Sequence, residues 1–192
     1  MVVDAAIASG WDIAGLVGVA NDAPQVLGHP VSLSPDGIGF DRFIVAIGRN
    51  DLRARRFAEY LDAGHEPGIV IHPSAVIAPS AVLGRGTFVA AGAIINPEAR
   101  VGDNVIVNTS CVVEHDVIVG DHVLLGPTSS LCGGVSIGEG VLFGAAASAI
   151  PGVSVGAWSE CGAGAVVVSD LPGRTLCVGV PARPLRPIDV SR

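Results

Sequence analysis

Residues 101–138 read VGDNVIVNTSCVVEHDVIVGDHVLLGPTSSLCGGVSIG, and three aliphatic–glycine pairs recur in it: Val101-Gly102, Val119-Gly120 and Ile137-Gly138. Each begins eighteen residues after the last, and Leu83-Gly84 and Val155-Gly156 extend the series in both directions. Dividing the interval by three exposes a shorter frame. Every sixth residue from Ile71, through Val107, Val113, Leu125 and Leu131, to Val167 is apolar. A second series two residues earlier, from Ala75 through Val105, Cys111 and Val117 to Ala165, is small or β-branched. An α-helix would repeat at about 3.6 residues and a half-buried strand at about 2. A period of six within eighteen implies short strands joined by sharp corners, three to a coil. Each strand then stacks on its equivalent one coil away, at about 4.8 Å. The larger aliphatic positions are expected to fill the axis and the small ones the narrow corners. Gly and Asn beside the aliphatic position are expected to permit the corner backbone. The predicted fold class is mainly β: a parallel β-helix of hexapeptide repeats from about residue 71 to residue 169.

That frame explains an unusual composition. The chain has 192 residues, 49% hydrophobic but only 4% aromatic and 15% charged, with 26 glycines and 13 prolines. Its mean hydropathy is +0.58. Residues 140–159 (GVLFGAAASAIPGVSVGAWS) carry no charge over a spanning length, yet four glycines, three serines and a central proline make a poor membrane helix. They fit one coil of β-helix instead, and no membrane insertion is expected. Neither is a signal peptide apparent. A net charge of −7 with no lysine argues against a nucleic-acid surface. Cys111, Cys132, Cys161 and Cys177 lack CxxC spacing and read as reduced, cytosolic thiols.

No hexad precedes Ile71. Val2 to Ser9 reads as a helix stopped by Gly10, Asp12 to Ala20 and Phe43 to Ile47 as strands. Asn50 is expected to cap a helix through Leu61 that Gly64 ends. Strand–helix alternation suggests a small Rossmann-like α/β unit over residues 1–68, ahead of a β-helix domain at 69–170 and an extended tail at 171–192. A strand and glycine-rich turn should open such a unit, and the chain starts directly in the helix. The unit is therefore expected to be truncated: either the start lies upstream of Met1, or the site that this turn would form has been lost.

The hexads, together with Ala46-Ile47-Gly48, Ile71-His72-Pro73-Ser74-Ala75, Glu114-His115-Asp116 and Gly179-Val180-Pro181-Ala182-Arg183, resemble the bacterial sugar O-acyltransferase family. The family is named after sialic-acid O-acetyltransferases and includes N-acetyltransferases of nucleotide-linked amino sugars. The resemblance implies a left-handed β-helix, acetyl-CoA as cosubstrate, a small-molecule sugar acceptor, no metal, and a cytoplasmic homotrimer with active sites between neighbouring β-helices. It makes His115 the general base and Asp116 the residue that raises its basicity. Gly133, eighteen residues after His115 and so one coil away, would offer its backbone N–H to the thioester carbonyl. Gly144, Ala145, Gly162 and Ala163 would line the pantetheine arm, and Arg183 would lie near the CoA phosphates. Gly48, Asn108 and Glu114 would face the acceptor. The sequence departs from the family pattern in three places. Leu124 stands where a second histidine is common, Gly18 and Val19 follow Val17 in place of acidic residues, and the glycine-rich turn has no counterpart.

The chemistry fits these roles. Acyl transfer to an amine needs a base near neutrality and a fixed donor for the oxyanion. The thiolate of CoA leaves readily, so direct transfer needs no covalent enzyme intermediate. Other readings are O-acetylation of a sugar such as sialic acid, and a non-catalytic trimeric scaffold. A zinc enzyme of the carbonic-anhydrase type would need three converging histidines, and residues 73–192 hold only His115 and His122. His122 reads as an exposed corner, His72 as structural, and His29 and His65 as loop residues. Cys132 reads as a small buried side chain rather than a nucleophile, and Arg53, Arg55 and Arg56 as a solvated face.

Overall fold

A computed structural model describes residues 1–18 and 24–189. From Val70 onward the chain winds as a parallel β-helix whose two-residue strands recur every six residues. Strands eighteen residues apart pair in register, as in Ile106↔Leu124, Val113↔Leu131 and Val119↔Ile137. Among the described residues this makes three sheets of eight, six and five strands. The first sheet starts at Val70–Ile71, the second at Val76–Ile77 and the third at Val82–Leu83.

The second residue of each strand points to the axis. Val107, Val113, Leu125, Leu131 and Ile137 are all at most 1% exposed, and Val105, Cys111, Val117 and Val123 of the small series are fully buried beside them. Each such aliphatic side chain contributes about 1.5–3 kcal/mol. The cross-section admits little more than one branched side chain per strand, which is why rings are few.

The unusual backbone is not beside the aliphatic position but three residues beyond it. Residues in the left-handed region follow one another every sixth position from Gly86 to Gly164, through Asn104 (φ 56°), Ser110 (55°), Asp116 (61°) and His122 (59°). The glycines directly after the aliphatic residue serve close approach instead. A Cβ on Gly102 would lie 2.8 Å from the Asp121 nitrogen, and one on Gly120 2.7 Å from the Glu139 nitrogen.

The N-terminal residues form helix α1 (Val2–Ala8), helix α2 (Asn50–Asp62) and a three-stranded sheet. Leu16–Val17 pairs in parallel with His29–Ser32, which also pairs antiparallel with Gln25–Val26. The strand expected over Asp12 to Ala20 thus shrinks to two residues, while Val19 and Ala20 lie outside the described residues. Phe43 to Ile47 makes only a single bridge, Phe43↔Pro67. His29 begins a strand rather than a loop. Ala5 and Ala6 of α1 bury the outward residues of the first sheet, Val70, Phe88 and Ile106, with Leu124 packed at the margin.

The tail is not simply extended. Thr175–Val178 joins the first sheet against Glu160–Cys161, and Arg183–Pro187 returns antiparallel along it. The last part of the expected tail, residues 190–192, lies outside the described residues.

Candidate active site

His115 and Asp116 occupy the corner between the second and third sheets. Asp116 takes the left-handed position of that corner, φ 61°, and this turns its carboxylate back toward its neighbour. His115 Nδ1 and Asp116 Oδ2 are 2.8 Å apart. A carboxylate can only accept, so Nδ1 carries the proton and Nε2 presents its lone pair. The hydrogen bond to Asp116 raises the His115 pKa above its ordinary value; desolvation opposes it, and the charges of Asp116 and Glu114 assist. Both side chains are about two-thirds exposed in the single chain.

Gly133 lies directly under the imidazole. A Cβ there would stand 2.6 Å from His115 Cε1 and 2.7 Å from Nε2, so only glycine leaves the ring its place. The coil-to-coil bond at this corner comes from Gly134, whose N–H donates to the His115 carbonyl at 3.0 Å. The Gly133 N–H donates to no acceptor among the described residues. Lone pair and open N–H therefore stand on adjacent coils at one corner, the elements that proton transfer and oxyanion binding require.

The other expected residues are distributed around this corner. Glu114 starts it, half-buried, its N–H donating to Leu131. Asn108 lies at the preceding corner, where its side-chain oxygen accepts from the Thr109 N–H at 2.8 Å. Thr109 in turn meets Met1, so the start of α1 reaches this part of the β-helix. Gly48 is exposed in the loop before α2, on the N-terminal unit. Gly144, Ala145, Gly162 and Ala163 stack at the corner between the first and second sheets. A Cβ on Gly144 would meet the Gly162 carbonyl carbon at 2.7 Å. The N–H groups of Ala145 and Ala163 donate to no acceptor among the described residues, leaving two donors one coil apart on a surface bare of long side chains. Arg183 is exposed on the returning strand and donates to the Ala182 carbonyl at 2.9 Å.

Several expectations need correction. Asn50 does not cap α2. The cap is Arg49, and Asn50 is buried, donating its side-chain amide to the carbonyls of Gly140 at 3.1 Å and Val141 at 3.0 Å. Arg53, Arg55 and Arg56 lie within α2, and Arg53 is fully buried rather than solvated. Its guanidinium donates to the carbonyls of Ile47, Asn104, His122 and Val123. Burial lowers its pKa to about 10, which leaves it charged at neutral pH. His122 is half-buried, not an exposed corner. Its Nδ1 is 2.9 Å from the Asn104 amide nitrogen, its ring meets the edge of Phe57, and desolvation lowers its pKa. No local signal marks Arg53 or Asn50, because apart from Ile47, six residues before Arg53, their partners lie 51 to 91 residues away. Among the described residues, no group of three or more His, Cys, Asp or Glu side chains gathers as for a metal, and no helix is long and apolar enough to cross a membrane.

No family model matches the chain. Its structure superposes on a variant of perosamine N-acetyltransferase from Caulobacter crescentus, in complex with CoA and GDP-perosamine, with a TM-score of 0.92. That match has 42% identity and covers 96% of this chain and 90% of that one. The acetyltransferase domain of PglB from Neisseria gonorrhoeae gives a TM-score of 0.87 at 32% identity, over 96% and 93% of the two chains. A segment of 50 residues, 26% of the chain, is 45% identical to UDP-N-acetylbacillosamine N-acetyltransferase of Bacillus subtilis and spans 23% of that protein. The chain therefore belongs to the hexapeptide-repeat family of acyltransferases that contains these sugar N-acetyltransferases, built on a left-handed β-helix.

Proposed function

We propose that this protein transfers the acetyl group of acetyl-CoA to an amino group of a nucleotide-linked sugar. The observation that carries the reading is the corner itself: the His115–Asp116 pair on one coil and Gly133 beneath the imidazole on the next. Acetyl-CoA supplies an activated acyl group with a thiolate leaving group. His115 Nε2 accepts the proton of the sugar amine as the C–N bond forms, and Asp116 holds the ring in the required tautomer. The Gly133 N–H, which has no acceptor among the described residues, suits donation to the oxyanion. When the C–S bond breaks, the proton on His115 passes to the departing thiolate. The open N–H groups of Ala145 and Ala163 suit the amide carbonyls of a pantetheine arm, and Arg183 suits the phosphates.

For the acceptor, a cleft of about 420 Å³ opens between the start of α1 and the small sheet, lined by residues that include Met1, Leu16, Val17, Val31 and Ala46. Its apolar walls suit a nucleoside, and the Met1–Thr109 contact brings it beside the β-helix. The acceptor is a small molecule, and the assembly is a cytoplasmic homotrimer with the cleft completed by a neighbouring copy. Val76 (63% exposed), Val82 (50%) and Ile118 (54%) on the second and third sheets provide apolar surface for that contact.

The test is thiol release from acetyl-CoA with a panel of nucleotide amino sugars, GDP-perosamine among them, and of hydroxyl acceptors. Turnover with an amine, reduced by about 10²- to 10⁴-fold in His115→Ala, supports the reading. No turnover with any acceptor, or full activity in the variant, overturns it. Turnover restricted to hydroxyl acceptors replaces it with O-acetylation. Sedimentation equilibrium checks the trimer.

A further inference from the structure

We infer that Arg53 is a positioning residue that fixes the height of the N-terminal unit along the β-helix, and so the height of the bound acceptor relative to His115 and Gly133. The inference rests on the assignment of those two residues to catalysis.

Arg53 grips two coils. Its Nε donates to the Asn104 carbonyl at 3.1 Å, and Nη2 to His122 at 2.6 Å and Val123 at 3.2 Å. Asn104 lies on the coil that carries His115, eleven residues before it. His122 lies on the next coil, eleven residues before Gly133. The side chain therefore spans, at one corner, the same two coils whose neighbouring corner holds the candidate base and the open N–H. Nη1 reaches the other way, donating to the Ile47 carbonyl at 2.9 Å. Ile47 follows Ala46, which lines the apolar cleft.

The chemistry requires arginine. The side chain is fully buried, and its partners are four backbone carbonyls with no carboxylate among them. Burying a cation this way is costly unless its donors are satisfied, and a planar fork meets carbonyls on several sides where an ammonium point charge cannot. An apolar side chain of similar volume would leave the Ile47, Asn104 and His122 carbonyls, which accept from no other backbone N–H among the described residues, without a donor. The guanidinium adds registration. Parallel coils repeat at about 4.8 Å, so a packed unit without directional contacts could slide or tilt along near-equivalent coils. Hydrogen bonds to Asn104 and His122 select one height. Whichever copy's His115 receives the acceptor in an assembly, that height sets the approach of the amine.

The experiment compares wild type, Arg53→Lys, Arg53→Met and the surface control Arg56→Met. For each, CoA-binding stoichiometry is titrated first, and kcat and both KM values are then expressed per CoA site. The expected result is a fall in kcat of about 100-fold in Arg53→Met, the scale of a misplacement of about 1 Å. Arg53→Lys should be intermediate, Arg56→Met unchanged, and the acetyl-CoA KM within about twofold in all. A purely structural role would reduce CoA-site stoichiometry and leave kcat per site untouched, and that outcome overturns the inference. If Arg53→Met does not accumulate, Arg53→Lys decides alone: unchanged kcat per site overturns it. Absence of turnover in wild type overturns the functional reading itself, and with it the acceptor that Arg53 would position.

Discussion

His115 and Asp116 are adjacent in sequence, yet their side chains meet at 2.8 Å because the aspartate, not the histidine, occupies the left-handed corner position. Adjacent residues in an ordinary strand would point to opposite faces. The contact sets a sign for the pH dependence. Asp116 raises the His115 pKa, chiefly through the hydrogen bond. Under the proposed function the base works as neutral imidazole, so kcat/KM should rise with pH through a midpoint above the ordinary histidine value. In Asp116→Asn that midpoint moves to lower pH. Its plateau falls by up to about 10⁴-fold, the scale for Asp→Asn beside a catalytic imidazole whose tautomer it holds. A pH–rate profile from pH 5 to pH 9 reads both effects. A limb that stays in place or moves upward would show that the pair does not act on the base.

Gly133→Ala separates the geometry of the corner from its fold. Gly133 is not in the left-handed region, so alanine is allowed by the backbone, but its Cβ would stand 2.6–2.7 Å from the imidazole. The exposed ring must swing away. The expected outcome is a loss of about 100-fold in kcat with unchanged CoA binding and thermal midpoint. Wild-type kcat would mean that His115 works from another position.

The two glycine classes predict different stability costs. A Cβ on Gly138 would meet the backbone of the next coil, with Ala157 N at 2.6 Å and Cα at 2.8 Å, so Gly138→Ala forces coils apart. Overpacking of this kind costs about 1–3 kcal/mol, and rigid neighbours place it at the upper end. Gly152 has φ +74° and open space around the missing Cβ, so Gly152→Ala carries only the left-handed penalty of about 1–2 kcal/mol. Urea unfolding monitored by circular dichroism should rank Gly138→Ala as the less stable. The reverse order would contradict the assignment of the post-aliphatic glycines to close approach.

The repeat was legible because one constraint acts again at every sixth position: a triangular core that accepts the same side-chain sizes from Ile77 to Val167. Gly133 was legible for the same reason, since eighteen residues from His115 means one coil away. The corner backbone was misplaced because Gly84, Gly102 and Gly120 look like turn glycines, whereas the left-handed positions accept Asn104, Asp116 or His122 without any shared side chain. The N-terminal unit resists such reading. Its strands are only two to four residues long and largely exposed, too short to show a period. Arg53 is the extreme case. An arginine beside two others on a helix reads as solvated, and only the carbonyls of Asn104 and His122, brought under it by the fold, make its burial possible.

The cysteines give a test of the coil core that does not depend on activity. Burial pushes Cys111 up to about 11 and Cys161 up to about 12, and raises Cys177 as well. The thiolate is the reactive form, so these three are protected twice, by access and by protonation. Cys132 is half-buried and directly precedes Gly133. At pH 8, an aromatic disulfide reagent should therefore modify one thiol of the native protein rapidly and all four after urea unfolding. Acetyl-CoA should slow the rapid phase, because its thioester would lie against the Gly133 corner. Equal rates for all four thiols in the native protein would mean that the coils open together, contrary to a closed core. A rapid phase indifferent to saturating acetyl-CoA would place the thioester away from this corner.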